Sequence, residues 1–358
     1  MTDAELLALH RLLVSTPSIS GQEGPLCDLL MCWLAERNVP VLRLGNNLVL
    51  QDGEGPVFCL NSHLDTVPAS PAWMRPPHQV VVQEGRVFGL GSNDAKASVA
   101  AMLAAFMRLR GREVGLQVLL TLVCEEETSG RGTEQVLQEL RRQGRLPQAV
   151  VVGEPTGLDV AVSQKGLLVL ELQAKGEACH AAHAQVLKAT NAIRTLAHDL
   201  VALESVDLGP ADPALGPTTV EPTVVQGGSA RNALPALVSC ILDARINPEP
   251  GPATLVARLQ RAVHGEIKVL SDRLKPHHIS PVHPLVCAAQ QARPQAKLFG
   301  SRTLSDLVFF ADIPGIKVGP GLSERSHRVD EFVLEQEVLD GARFYEALVK
   351  TYAGMRLS

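Results

Sequence analysis

No run of apolar residues in this sequence approaches the length needed to span a bilayer, so a membrane-spanning role is set aside at once. Basic charge is scarce too: 33 Lys and Arg stand against 38 Asp and Glu, a formal net charge of -5. The longest basic cluster, Arg141-Arg142-Gln143-Gly144-Arg145, falls at a predicted helix end. Nothing here has the electrostatic footprint of a nucleic-acid or anionic-membrane partner, which leaves small molecules as the expected partners. The seven cysteines contain no C-x-x-C, and an odd number argues against a disulfide framework. Cys27 and Cys32 lie five apart in one predicted helix and share no face, so packing is expected of them rather than joint metal binding. No basic segment followed by an apolar one opens the sequence, and the expected location is cytoplasmic.

What is present is enough apolar material for more than one core. With 358 residues, 46% of them hydrophobic, the prior is two domains. An amphipathic helix is expected from Asp3 to Val14, with Thr2 and Glu5 in capping-box spacing, and a second from Glu23 to Arg37. A strand pair follows around Val41 to Gln51. The run Val57-Phe58-Cys59-Leu60 then reads as a buried strand of a parallel sheet and ends in Asn61-Ser62-His63-Leu64-Asp65-Thr66. Ligands of open α/β sheets gather beyond the carboxyl ends of the strands, where His63 stands. Asp65, two residues on, is placed to hold the second ring nitrogen of a ligating His63.

The pattern recurs. A hairpin-like segment, Val80 to Phe88, is followed by Gly89-Leu90-Gly91-Ser92-Asn93-Asp94 and a helix from Ala95 to Arg110. The apolar run Leu116 to Val123 ends in Cys124-Glu125-Glu126-Glu127, and the strand Ala149 to Val152 ends in Gly153-Glu154. Any one of these carboxylates reads as a solvated charge, and Asp94 alone reads as a helix cap. Four successive elements delivering His63, Asp94, Glu126 with Glu127, and Glu154 are hard to explain that way. An imidazole and several carboxylates on one sheet edge suit zinc, with cobalt or manganese as substitutes.

From about Ala161 the texture changes to strand alternation, Gly166 to Ala174, a helix from Ala189 to Glu204, and the strand Ala236 to Ile246. A helix from Ala253 to His264 and a strand from Glu266 complete an α+β pattern. Near Pro276 the first texture returns, with Pro284 to Arg293 helical, the strand Ile316-Lys317-Val318, then His327 and a long helix from Leu334 to Tyr352. The expected organisation is a discontinuous α/β domain, 1–161 and 276–358, with a mixed central sheet flanked by helices, interrupted by an inserted α+β domain, 162–275.

In combination and order, several segments resemble the zinc aminoacylase and carboxypeptidase family that includes acetylornithine deacetylase and succinyl-diaminopimelate desuccinylase. They are Ser62 to Pro68, Gly89 to Lys96, Glu125 to Thr128, Gly153 to Thr156, Gly227-Gly228 with Asn232 and Pro235, and Gly319-Pro320-Gly321 with His327. The resemblance implies a zinc-peptidase-like catalytic domain and an inserted lid and dimerisation domain. It implies two zinc ions per subunit, one held by His63 and Glu154, another by Glu127 and His327, with Asp94 bridging and Glu126 as general base. Asn232 and Arg245 match positions that bind a substrate carboxylate, and a guanidinium meets a carboxylate as a fork. The alternative for Arg245 is a structural ion pair. His180 matches a histidine that reaches the partner subunit's site, without the proline that usually follows; His183 is its competitor.

Two departures stand out: Ala97 where the family has glycine, and Asn93 before the aspartate. The implied activity is removal of the acyl group from an N-acyl amino acid by a homodimer. N-acetylornithine in arginine biosynthesis comes first. Alternatives are N-acetylcitrulline, N-acyl-lysine or N-acyl-ornithine, including a form linked to a carrier protein, succinyl-diaminopimelate in lysine biosynthesis, and dipeptides. A non-catalytic binder of amino-acid derivatives is the reading from another class, and the retained Glu126 argues against it.

Overall fold

The computed structural model describes residues 1–357, with side chains described through residue 355. The chain divides into two compact units: residues 1–162, 278–300 and 305 onward make the first, and 163–277 with 301–304 the second. The first begins with helices α1 (Asp3–Ser15) and α2 (Gly24–Ala35) and strands β1 (Leu42–Leu44), β2 (Asn47–Asp52) and β3 (Val57–His63). The capping box forms: Glu5 N donates to Thr2 Oγ1 at 3.2 Å and Thr2 N to Glu5 Oε2 at 2.7 Å. The hairpin β4 (Val81–Gln83) and β5 (Arg86–Phe88) precedes α3 (Lys96–Leu109), β6 (Gln117–Val123), α4 (Arg131–Arg142), β7 (Ala149–Val152) and β8 (Val160–Gln164).

The second unit holds β9 (Gly166–Lys175), α5 (Ala184–Leu187), α6 (Ala192–Leu203), β10 (Thr219–Gly227), β11 (Leu237–Ile246), α7 (Pro252–Ala262) and β12 (Glu266–Leu274). Its antiparallel sheet runs β10-β11-β9-β12. Alternation decides which face is covered. Leu168, Leu170 and Leu172 of β9 and Val238, Cys240 and Leu242 of β11 are buried at every second position, against Leu196 of α6 and Leu255 and Leu259 of α7. One face of the sheet thus carries the core.

The chain then supplies β13 (His277–His278), α8 (Pro284–Ala292), β14 (Leu298–Ser301), β15 (Gly315–Lys317), β16 (Phe332–Leu334) and the long helix α9 (Glu335–Leu357). The large sheet runs β1-β2-β6-β3-β7-β15-β8-β13, with β14 paired to β8, and mixes parallel and antiparallel neighbours. Both its faces are covered. Leu48, Leu50, Phe58, Leu60 and Leu120 belong to the cluster shared with α1, α2, α3, α8 and α9, whereas Val49, Cys59, Leu119, Val150 and Val152 belong to the one shared with α4. Adjacent residues alternate between two cores, which is why the central strands read as continuous apolar runs. Of the cysteine pair, Cys27 is buried as expected, whereas Cys32 is exposed and takes no part in the core.

Candidate metal centre

Strand β3 lies between β6 and β7 and runs parallel to both, with His63 opposite Val123 and Asn61 opposite Val152. That register brings His63, the turn after Val123 and the Gly153-Glu154 step to one edge. Gly153 N donates to Asn61 O at 2.8 Å and Leu64 N to Val123 O at 2.7 Å, so the ladder extends to the first functional residues. The loop before α3 supplies Asp94. Ala95, not Asp94, is the helix N-cap, and no side chain caps it, so Asp94 is free of the ordinary capping role. The loop is tightly seated: Gly91 has φ +76°, and a Cβ there would lie 2.5 Å from Thr66 Cγ2.

The side chains converge. His63 Nε2 lies 3.3 Å from Asp94 Oδ1 and 3.8 Å from Glu154 Oε1. His327 Nε2 lies 2.8 Å from Glu127 Oε1 and 3.8 Å from Asp94 Oδ2. The two oxygens of Asp94 therefore face different histidines. Ligand atoms of His63, Glu126 and Glu154 all fall within 4.8 Å of one another, as do those of His63, Asp94 and Glu127. Glu125 and His327 both hold left-handed backbone, φ 59° and 58°, at a cost of about 1–3 kcal/mol each.

Asp65 holds His63 differently from the sequence expectation. The nearer contact to His63 Nδ1 is the Asp65 main-chain carbonyl at 3.0 Å, with Oδ1 at 3.5 Å. The tautomer with its proton on Nδ1 leaves Nε2 free as a ligand. The Asp65 carboxylate is occupied beneath the acidic turn, where Oδ1 accepts from Glu126 N and Oδ2 from Glu127 N, both at 3.1 Å, and Ser20 Oγ donates at 2.7 Å.

The electrostatics follow from crowding acids away from water. Burial, reinforced by Glu154, Asp306 and Glu127 against the pull of His63, pushes Glu126 well above the usual carboxylate range. Burial and then Asp94 push Glu154 up to about 8. Burial alone would lower His63, but Asp65 and Asp94, with Glu126 and Glu154, hold it well above its ordinary value. The hydrogen bond to Glu127 raises His327 to about 9. A divalent cation among these groups would oppose each shift, because its charge stabilises carboxylates and requires neutral imidazoles. Oxygen and nitrogen donors, two imidazoles and several carboxylates fit such an ion.

Several supports carry no sequence pattern. Cys124 N donates to Asn47 Oδ1 at 3.0 Å and Glu125 N to Glu23 Oε1 at 3.2 Å, so with Asp65 four successive amides of the acidic turn meet buried acceptors. Asn93, a departure from the motif, is fully buried; its Oδ1 accepts from Leu322 N and its Nδ2 donates to Leu322 O, both at 3.0 Å, and to Ser326 Oγ at 3.2 Å. Ala97 packs in the core. Glu331 accepts from Gly91, Asn93 and Asp94 amides. The one available signal for it was a carboxylate pair, Asp330-Glu331, just after a candidate ligand.

His180, Asn232 and Arg245 belong to the second unit. There His180 and Asn232 are neighbours: Ala181 N donates to Asn232 O at 2.8 Å and His180 bridges to Ala233. Both are exposed, as is His183, whose ring centroid lies 5.7 Å from that of His180. Ala182 N donates to His180 Nδ1 at 3.2 Å, which leaves Nε2 as the outward nitrogen. Arg245 forms a fork with Asp243, two residues away on the same strand face, at 2.8 and 3.2 Å.

A family model described as Peptidase family M20/M25/M40 matches residues 59–351. A succinyl-diaminopimelate desuccinylase from Halorhodospira halophila is 30% identical over 281 residues, 72% of either chain. An acetylornithine deacetylase from Edwardsiella ictaluri is 27% identical over 360 residues, 91% of this chain and 92% of the relative. Among solved structures, the YXEP protein of Bacillus subtilis, described as a dinuclear metal binding peptidase from the M20 family, aligns with a TM-score of 0.75 over 97% of both chains at 17% identity, a likeness of fold. With the family match spanning most of the chain and imidazoles and carboxylates gathered on one sheet edge, the protein belongs to peptidase family M20/M25/M40 and is a metal-dependent hydrolase.

Proposed function

We propose that this hydrolase removes the acyl group from the α-nitrogen of an N-acyl amino acid, with two zinc ions held by His63 and Glu154, by Glu127 and His327, and by Asp94 between them. The observation that carries this reading is Asp94, whose oxygens point one to His63 and one to His327. When bound, the ions supply Lewis acidity towards water and the scissile carbonyl. Glu126 takes the proton of the attacking water and later delivers it to the leaving nitrogen, which must be protonated because an amide anion is a poor leaving group. Asp65 orients Glu126 through its main-chain amide.

The inserted unit serves as lid and dimerisation domain. His180 of one protomer completes the other protomer's site, its exposed imidazole donating to the developing oxyanion. Asn232 and Arg245 receive the substrate carboxylate, Arg245 exchanging its Asp243 partner for the substrate. N-acetylornithine is the first substrate proposed, which would place the protein in cytoplasmic arginine biosynthesis, with carrier-linked acyl-lysine or acyl-ornithine as variants of the same chemistry. The desuccinylase relative at 30% identity favours succinyl-diaminopimelate, and so lysine biosynthesis, as a second reading. Hydrolysis of a panel of acetyl and succinyl amino acids and dipeptides by the zinc-loaded protein decides between them. Bound zinc without turnover of any member would favour a binding protein instead.

A further inference from the structure

Glu331 lies under the Asp94 loop and has no part in the chemistry above. It is 2% exposed. Its Oε1 accepts from Asn93 N at 2.8 Å and Asp94 N at 2.9 Å, and its Oε2 from Gly91 N at 3.0 Å. The Glu331 main-chain carbonyl accepts from Gly89 N at 3.1 Å and Ser92 Oγ at 3.3 Å. One residue thus gathers four of the six amides of the 89–94 loop and its serine hydroxyl. A carboxylate taking several amides together fixes their directions more firmly than neutral acceptors do.

The position of Glu331 in the chain adds a second constraint. It stands four residues after His327 and directly before β16, whose Phe332 pairs with Phe88 at the start of the same loop. Asn93 ties that loop to Leu322 and Ser326 on the other side of His327. The segments presenting Asp94 and His327 are therefore one hydrogen-bonded body with the Glu331 carboxylate at its centre.

We infer that Glu331 is a positioning residue that sets the backbone aiming the two Asp94 oxygens between His63 and His327, and thereby governs divalent-metal affinity without touching the metal or the substrate. The inference rests on the reading of Asp94 as a ligand. In Glu331→Gln the shape is kept, but an amide N–H₂ must oppose at least one of the three backbone donors, which turns the loop.

The test titrates metal-free protein with Zn²⁺ against a chelating indicator and follows thermal melting without metal, for wild type, Glu331→Gln, Asp94→Ala and Asp199→Asn. Asp199 is the control, a fully buried carboxylate of the second unit that accepts from His264 N at 2.9 Å and Gly265 N at 2.8 Å. Glu331→Gln should keep a cooperative melt, lose at least tenfold in affinity for one zinc ion, and alter the visible d–d absorption of the cobalt-loaded protein. Asp199→Asn should lower the melting temperature with zinc affinity unchanged. Wild-type affinity and spectrum in Glu331→Gln, or an equal zinc loss in Asp199→Asn, would overturn the inference and leave Glu331 a structural group. Wild-type protein that binds no zinc, or an Asp94→Ala protein that binds it normally, would overturn the reading of Asp94 and this inference with it. Should Glu331→Gln fail to fold, hydrogen exchange in metal-free wild type decides: the amides of Gly91, Asn93 and Asp94 must be protected, and rapid exchange sinks the proposal.

Discussion

His10 makes the stability of this protein depend on pH through its burial. The ring is fully buried in α1, with Nε2 2.8 Å from the Ser92 carbonyl, to which it donates. Nδ1, the atom that would take a second proton, meets no hydrogen-bond partner. Burial lowers its pKa to about 4, Lys96 and Arg11 assisting and the Ser92 carbonyl and Glu335 opposing. In the unfolded chain the same ring titrates near 6.5, so between these values the unfolded state binds more protons and stability falls as pH falls. Linkage gives a loss of roughly 2 kcal/mol on going from pH 7.5 to 5, approaching about 3 kcal/mol below pH 4. Urea unfolding of metal-free wild type and His10→Gln at both pH values isolates this contribution, because glutamine can still donate to Ser92 and cannot titrate. The variant should lose about 2 kcal/mol less than wild type over that interval. Equal losses in the two proteins would refute the reasoning.

Glu126→Gln should retain two zinc ions and the fold while kcat falls on the order of 10² to 10⁴, the range of a lost general base; metal analysis beside kinetics checks it, and near-normal kcat would shift the base to a neighbour. Asp94→Ala should lose more zinc than Glu154→Ala, since one carboxylate facing both histidines serves two ions; equal loss of one ion in both variants would make Asp94 a terminal ligand. Mixing inactive His180→Ala with inactive Glu126→Gln under subunit exchange should restore activity, because one site of each heterodimer has both groups intact. His180→Ala alone should fall about a hundredfold, and His183→Ala should stay active; no recovery on mixing would place His180 in its own subunit's site.

What could be read from the sequence was whatever a strand leaves at its end. Apolar runs with a parallel-sheet texture must stop where the cover of the sheet stops, so His63, Glu126-Glu127 and Glu154 announce themselves in the short polar segments that follow Leu60, Val123 and Val152. Asp94 follows no such run, but it stands at a helix start in the same recurrence; His327 has only the resemblance of the segment around it. The layer beneath was illegible for a physical reason. Glu23, Asn47 and Glu331 act by accepting main-chain amides far away in sequence, and an amide is offered by nearly every residue, so no spacing or composition marks its acceptor. Asp65 shows the same limit at short range: its proximity to His63 suggested a carboxylate contact, but the main-chain carbonyl makes the nearer one and the carboxylate turns to the acidic loop.

Those acceptors also explain how the chain keeps so many acids together. Glu126, Glu127, Asp94 and Glu154 repel one another in a buried site, and flexible loops would relieve that repulsion by swinging the side chains into water. Here the loops cannot yield cheaply, because moving the acidic turn means breaking the amide bonds to Asn47, Glu23 and Asp65, and moving the Asp94 loop means breaking those to Glu331. A hydrogen bond to a charged acceptor is worth about 1.5–3 kcal/mol, and an amide left buried without a partner costs about 1–3 kcal/mol. Three of these supports are themselves acids, so they add negative charge beneath the ligands even as they fix them. The arrangement is electrostatically reasonable only with cations above it. The second layer therefore does two things at once: it prevents the ligand carboxylates from escaping each other, and it raises the attraction of the site for the ions that neutralise them.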